Sequence, residues 1–185
     1  MRWTTLCQIL AAAALSQSLI IPSHITEEGT YQVVTNTDGT EVHTKIANVT
    51  SSTPHDDGRA LDRRDYGEIW CGCGYFMTPS NCDAAVEDMK HQLDTQGAIG
   101  AHLSFYSIRN DVVAFACNRA DRSFEMSGQR FAIGLEGITK WCGRYVAGSA
   151  DIGDYDLPVI SGYMQYRNGL DFCGDSTRGA SHTYC

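Results

Sequence analysis

From Ser80 onward, Cys82, Ala85, Val86, Met89 and Leu93 fall at spacings of three, four, seven and eleven residues, a helical stripe that Gly97 closes. Ala101, Leu103 and Phe105 then alternate with His102, Ser104 and Tyr106. Val113, Phe115 and Cys117 repeat that period after Arg109-Asn110-Asp111, which predicts a β-hairpin. From Ser127, positions Phe131, Leu135, Ile138 and Cys142 trace a second helical face, ended by Gly143. Gly134 and Gly137 each cost this helix about 1 kcal/mol of propensity, a cost that fits close approach to a sheet. Val159 to Tyr166 and Leu170 to Cys173 read as a last hairpin, turning at Asn168-Gly169. Helix, strand, strand, helix, strand, strand, joined by short connections, predicts an α+β fold. The expected form is a small disulfide-bonded sandwich, an antiparallel sheet with two helices packed on one face.

The N-terminal third carries only short alternations, Tyr31-Gln-Val-Val-Thr and Glu41-Val-His-Thr-Lys-Ile, which allow transient strands but not a packed core. Residues 1–18 combine Arg2, an apolar run from Leu6 to Leu15 and small residues at Ser16 and Ser18, the parts of a secretory signal peptide. Residues 19–64 contain no Cys, Trp or Phe, and their β-branched stretches give way to Ser51-Ser-Thr-Pro-His-Asp-Asp-Gly. With so little apolar surface to offset ordering entropy, this segment is expected to be a largely disordered propeptide that does not fold alone. Leu61-Asp62-Arg63-Arg64 marks its end. These four residues resemble the processing sites of kexin-type proteases in the fungal secretory pathway, which implies a mature cysteine-rich domain over residues 65–185. Asn48-Val49-Thr50 is a candidate glycosylation acceptor.

Composition narrows the function classes. The formal net charge is −8; residues 65–185 hold nine Lys plus Arg against fifteen Asp plus Glu, or −6. An acidic domain argues against binding nucleic acid by phosphate neutralisation. No apolar run approaches the length of a membrane span. Eight cysteines, with seven at 71, 73, 82, 117, 142, 173 and 185, are typical of a secreted chain. Cys71 and Cys73 are too close in sequence to bond to each other without strain, so they are expected to take different partners. Spacing leaves the connectivity open, and an odd cysteine is available for a dimer. No zinc-finger spacing and no cofactor motif occur.

Asn81-Cys82, the amphipathic helix, the hairpin ending in Val113-Ala-Phe-Ala-Cys117, the second helix into Cys142-Gly143 and the late Ser161-Gly-Tyr-Met strand form an ordered series. In element order and cysteine placement, this series resembles fungal secreted effectors related to killer toxins and necrosis-inducing extracellular effectors. The signal peptide, the processing site, the cysteine density and the lack of a convincing catalytic set point to a secreted, extracellular, non-enzymatic effector or toxin-like protein that acts by binding a host or competitor target. Tyr106, Tyr163 and Tyr166 are candidates for the recognition surface, because a sheet covered by helices on one face leaves alternate residues open on the other. A second reading rests on His102, Glu125, Arg144 and His182, whose types and order resemble the acid, base and phosphorane-stabilising set of small guanyl-type ribonucleases.

Overall fold

The computed structural model describes residues 19–48, 66–154, 157–181 and 185. Residues 1–18, read as a signal peptide, the expected processing pair Arg63-Arg64 and His182 lie outside these residues; Asn48 is described and exposed.

The described residues form ten strands, β1 (Gly29–Thr35), β2 (Glu41–Ala47), β3 (Ile69–Phe76), β4 (Ala98–Ile99), β5 (Leu103–Arg109), β6 (Val112–Asn118), β7 (Phe124–Glu125), β8 (Val146–Asp151), β9 (Val159–Gln165) and β10 (Ala180–Ser181). Three helices, α1 (Pro79–Gln96), α2 (Gly128–Cys142) and α3 (Phe172–Asp175), accompany them. Eight strands make one antiparallel sheet in the order β10-β3-β8-β9-β6-β5-β1-β2, and β4 pairs with β7 separately. The fold is thus the expected disulfide-bonded α+β sandwich.

Both long helices lie on one face. Pro79 at its first turn suits the start of α1, where an N–H would lack an intrahelical partner, and Gly97 at φ 69° ends it by donating to the Leu93 carbonyl. Ser127 caps α2 by accepting from the Arg130 N–H. Cys82, Ala85, Met89 and Leu93 of α1 and Phe131 and Ile138 of α2 bury against Phe105, Val112, Ala114 and Ala116 of the central strands. A Cβ on Gly134 would stand 2.7 Å from Ile152 Cγ2, and one on Gly137 3.0 Å from Ile69 Cδ1, so the two glycines do bring α2 close to the sheet.

Part of the opposite face is also covered, because residues 19–48 pack onto it instead of standing apart as a disordered leader. β1 pairs with β5 and β2 with β1, and Leu19, Ile21, Ile25, Tyr31 and Val33 pack with Tyr106, Ile108, Val113, Phe115, Leu170 and Phe172 into a second core. The segment is too poor in large apolar residues to fold alone, but the sheet supplies the other half of the core. The expected last hairpin is also corrected. β9 is a strand, but it pairs with β6 and β8, and residues 170–173 enter α3. The Asp171 side chain accepts from the Gly174 N–H and so starts a helical turn.

Three disulfides join described cysteines: Cys71 to Cys142, Cys73 to Cys185 and Cys117 to Cys173. They tie β3 to α2, β3 to the C-terminal residue and β6 to α3. Cys71 and Cys73 take different partners, as expected.

Candidate functional site

Helices cover β3, β8 and β9 on one face; on the other face these strands floor a cleft of about 280 Å³. Gly72 and Ala147 leave the hollow, since neither presents more than a methyl group, and a Cβ on Gly72 would touch that methyl at 3.0 Å. Met164 and Leu170 add apolar lining. The wall is the turn after α3, fixed to the sheet where Ser149 Oγ donates to the Ser176 carbonyl at 2.8 Å.

Charge and aromatic surface meet at the rim. Asp175 accepts from Arg167 Nη2 at 3.0 Å and from Arg178 Nη1 at 2.8 Å, with both guanidinium groups well exposed. Two arginines on one carboxylate leave the rim a net positive spot on an acidic chain. A guanidinium carries five N–H donors, so donors remain to meet an incoming carboxylate. Beyond Gly74, at φ +90°, the register of β3 against β8 breaks. This break turns out Tyr75, which lines the cleft at 60% exposure, and its neighbour Phe76 at 65%. The Cys73–Cys185 disulfide and the hydrogen bond from Gln165 Nε2 to the Phe76 carbonyl, 3.0 Å long, hold this stretch in place.

Of the tyrosines singled out in the sequence, Tyr163 borders this cleft from a buried position, and Tyr106 and Tyr166 do not line it. Tyr106 is fully buried under Tyr31, whose ring stacks on it at 5.0 Å, and under Phe172. Tyr163, 4% exposed, faces the helices, and burial pushes its hydroxyl up to about 12. Tyr166 is half-buried and donates to the Ile25 carbonyl at 2.6 Å. The second face is not open over β5 and β6, because segment 19–25 and residues 170–173 occupy that part of the sheet.

The ribonuclease set is dispersed. His102 sits at φ 55° before β5, its Nε2 2.8 Å from Asp121 Oδ1. Glu125 is exposed on β7, near the α1 C-terminus, where Met126 N–H donates to the Gly97 carbonyl. Arg144 lies at the other end of α1: its guanidinium stacks over Tyr145, whose hydroxyl donates to Asp83. The fourteen residues from Asp83 to Gly97 make about 21 Å of helix, too far for acid, base and phosphorane ligand to share one phosphate. His182 lies outside the described residues.

Among the described cysteines the odd one is Cys82, 3% exposed on the core side of α1, with its thiol pushed up to about 12 by burial. A thiol so placed does not present itself for an intermolecular disulfide. Among the described residues, no three His, Cys, Asp or Glu side chains gather as metal ligands would, and no helix is long and apolar enough to cross a membrane.

Sequence reasoning missed Tyr75, Arg167 and Arg178 of the cleft. Tyr75-Phe76 sets two aromatic residues side by side between Gly74 and Pro79, so that in an extended chain they point to opposite faces, a local sign that one of them is exposed. Nothing local shows that Arg167 and Arg178 converge on Asp175. No protein family model, curated protein or solved structure matches the chain.

Proposed function

We propose that the protein is a secreted effector or toxin-like protein that acts by binding a host or competitor target rather than by catalysis, with the Tyr75–Arg178 cleft as its recognition surface. One observation carries this reading: an exposed aromatic pair, held by a disulfide, stands beside a small apolar cleft rimmed by two arginines. Aromatic and arginine side chains dominate the energetics of protein recognition, and anchoring them beforehand lowers the ordering cost of binding. The target that fits presents a carboxylate next to an apolar side chain. The carboxylate would take the free guanidinium donors, and the apolar group would enter over Gly72, Ala147 and Met164. The disulfides are compatible with an extracellular setting.

The test is saturable binding of fluorescently labelled protein to host or competitor cells, competed by unlabelled protein. Tyr75→Ala and Arg178→Ala are expected to weaken competition at least about tenfold, a change worth roughly 1.4 kcal/mol, without moving the urea midpoint. Wild-type protein that shows no saturable binding, or variants that compete equally well, would refute the reading. RNA hydrolysis by the purified protein that Glu125→Ala abolishes would replace it with the ribonuclease reading.

A further inference from the structure

We propose that residues 19–47 seat the leader as a separate, tightly held chain in the processed protein: cutting after Arg64 leaves a non-covalent two-chain complex instead of releasing the leader. This goes beyond the binding function above and does not depend on it.

The geometry of the seat carries the inference. β1 completes β5 over six paired positions, from Gly29 opposite Ile108 to Val34 opposite Leu103, and so covers what would be a bare strand edge. Ahead of β1, the chain makes a second backbone pairing on the far face. Ile21 N–H donates to the Leu170 carbonyl at 3.0 Å, Gly169 N–H to the Ile21 carbonyl at 3.2 Å, and Phe172 N–H to the Leu19 carbonyl at 3.2 Å. Leu19, Ile21, Ile25, Tyr31 and Val33 are all buried there, and Ile21 and Val33 have no exposed surface at all. The segment thus clasps both the edge of the sheet and its second face.

None of these contacts uses the connection that would be cut. The three disulfides join cysteines from 71 to 185, so no covalent bond besides the backbone links the segment to the rest. β2 and β3 stand six places apart in the sheet, roughly 29 Å at the spacing of hydrogen-bonded strands, so in sequence the cut falls between two strands that do not pair with each other. Cleavage adds water across the Arg64–Asp65 amide, producing a carboxylate on Arg64 and an amine on Asp65. An endoprotease of dibasic specificity supplies the catalysis. Release of the segment would expose Tyr106, Ile108, Val113 and Phe115 together with a naked strand edge, an outcome that solvation opposes.

The experiment digests the folded, purified full chain with a dibasic-specific endoprotease and runs the product on native size-exclusion chromatography, with fractions read by mass spectrometry. Both fragments are expected to co-elute at the volume of the intact chain and to separate only in denaturant. Tyr31→Ala/Val33→Asp in the same chain is expected to lose co-elution after cutting. Elution of the 65–185 fragment without its partner under native conditions overturns the proposal, and so does a double variant that retains the segment as well as the parent chain. A chain resistant to cutting at Arg63-Arg64 is tested in the same way with a specific protease site inserted after Asp57, and the same two outcomes decide.

Discussion

Arg109 of β5 and Asp88 of α1 form a two-point ion pair between sheet and helix: Nε donates to Oδ2 at 2.6 Å and Nη2 to Oδ1 at 2.7 Å. Ser107 Oγ donates to the same Oδ2 at 2.9 Å, and the carboxylate is almost wholly buried. A buried charge is tolerated when its oxygens are met this completely. Arg109→Ala removes the countercharge and leaves the carboxylate inside, so it is expected to lower unfolding free energy by about 3–5 kcal/mol in urea titration. The joint variant Asp88→Leu/Arg109→Met removes both charges and should recover most of that loss. A joint variant no better than Arg109→Ala would show that the pair itself is needed.

Gly134→Val tests the approach of α2 to the sheet. The new Cβ alone would lie 2.7 Å from Ile152 Cγ2 and 3.2 Å from Ser161 Oγ. The better helix propensity of valine is outweighed by overpacking, and a net loss of about 1–3 kcal/mol is expected. A thermal midpoint equal to the parent's would mean that the helix can shift freely.

His43 makes stability depend on acid. It sits in β2 with Nδ1 3.2 Å from the Tyr106 hydroxyl, and burial, with the charge of His24, pulls its pKa from 6.5 to about 4. Between those values the unfolded chain binds a proton that the folded chain refuses, so stability falls as pH drops from 6.5 towards 4 and is unaffected by this group above 6.5. The loss is at most about 3 kcal/mol. Glu41, 3.4 Å from the imidazole, has its pKa raised by burial and works in the opposite direction. The decisive comparison is therefore the slope of unfolding free energy with pH in the parent and in His43→Gln, with the slope expected to flatten in the variant.

Cys82 should resist alkylation at neutral pH in the folded protein and react once the protein unfolds, because its thiol is buried and its pKa raised to about 12. Peptide mapping after pulse labelling checks this. Rapid labelling of native Cys82 would mean that α1 opens locally.

The reading of α1 and α2 succeeded because each buries one stripe against one face, so a period of 3.6 with a glycine at the end is written directly in the chain. The β5–β6 hairpin was legible for the same reason, its turn at Asn110 carrying φ 48°. β8 was not, because Val146-Ala-Gly-Ser-Ala-Asp is buried on both faces under close-packed neighbours. Such a strand needs small residues, not alternation: a Cβ on Gly148 would lie 2.7 Å from Ile138 Cγ2.

By itself, the amino-acid sequence determined the class of fold, the two helices, the central hairpin and the separate destinations of Cys71 and Cys73, all of which follow from local periodicity and covalent geometry. Only the tertiary structure decided that residues 19–48 complete the sheet, since Ile21 and Val33 gain a buried place from strands more than seventy residues away, and no local composition records that. It also decided that Cys82 is the odd thiol among the described cysteines, that Tyr106 is core, and that Tyr75, Arg167 and Arg178 share one cleft. Those facts depend on which faces meet after folding. Burial is a property of the partner surface as much as of the residue, and the chain supplies its partners from distant positions.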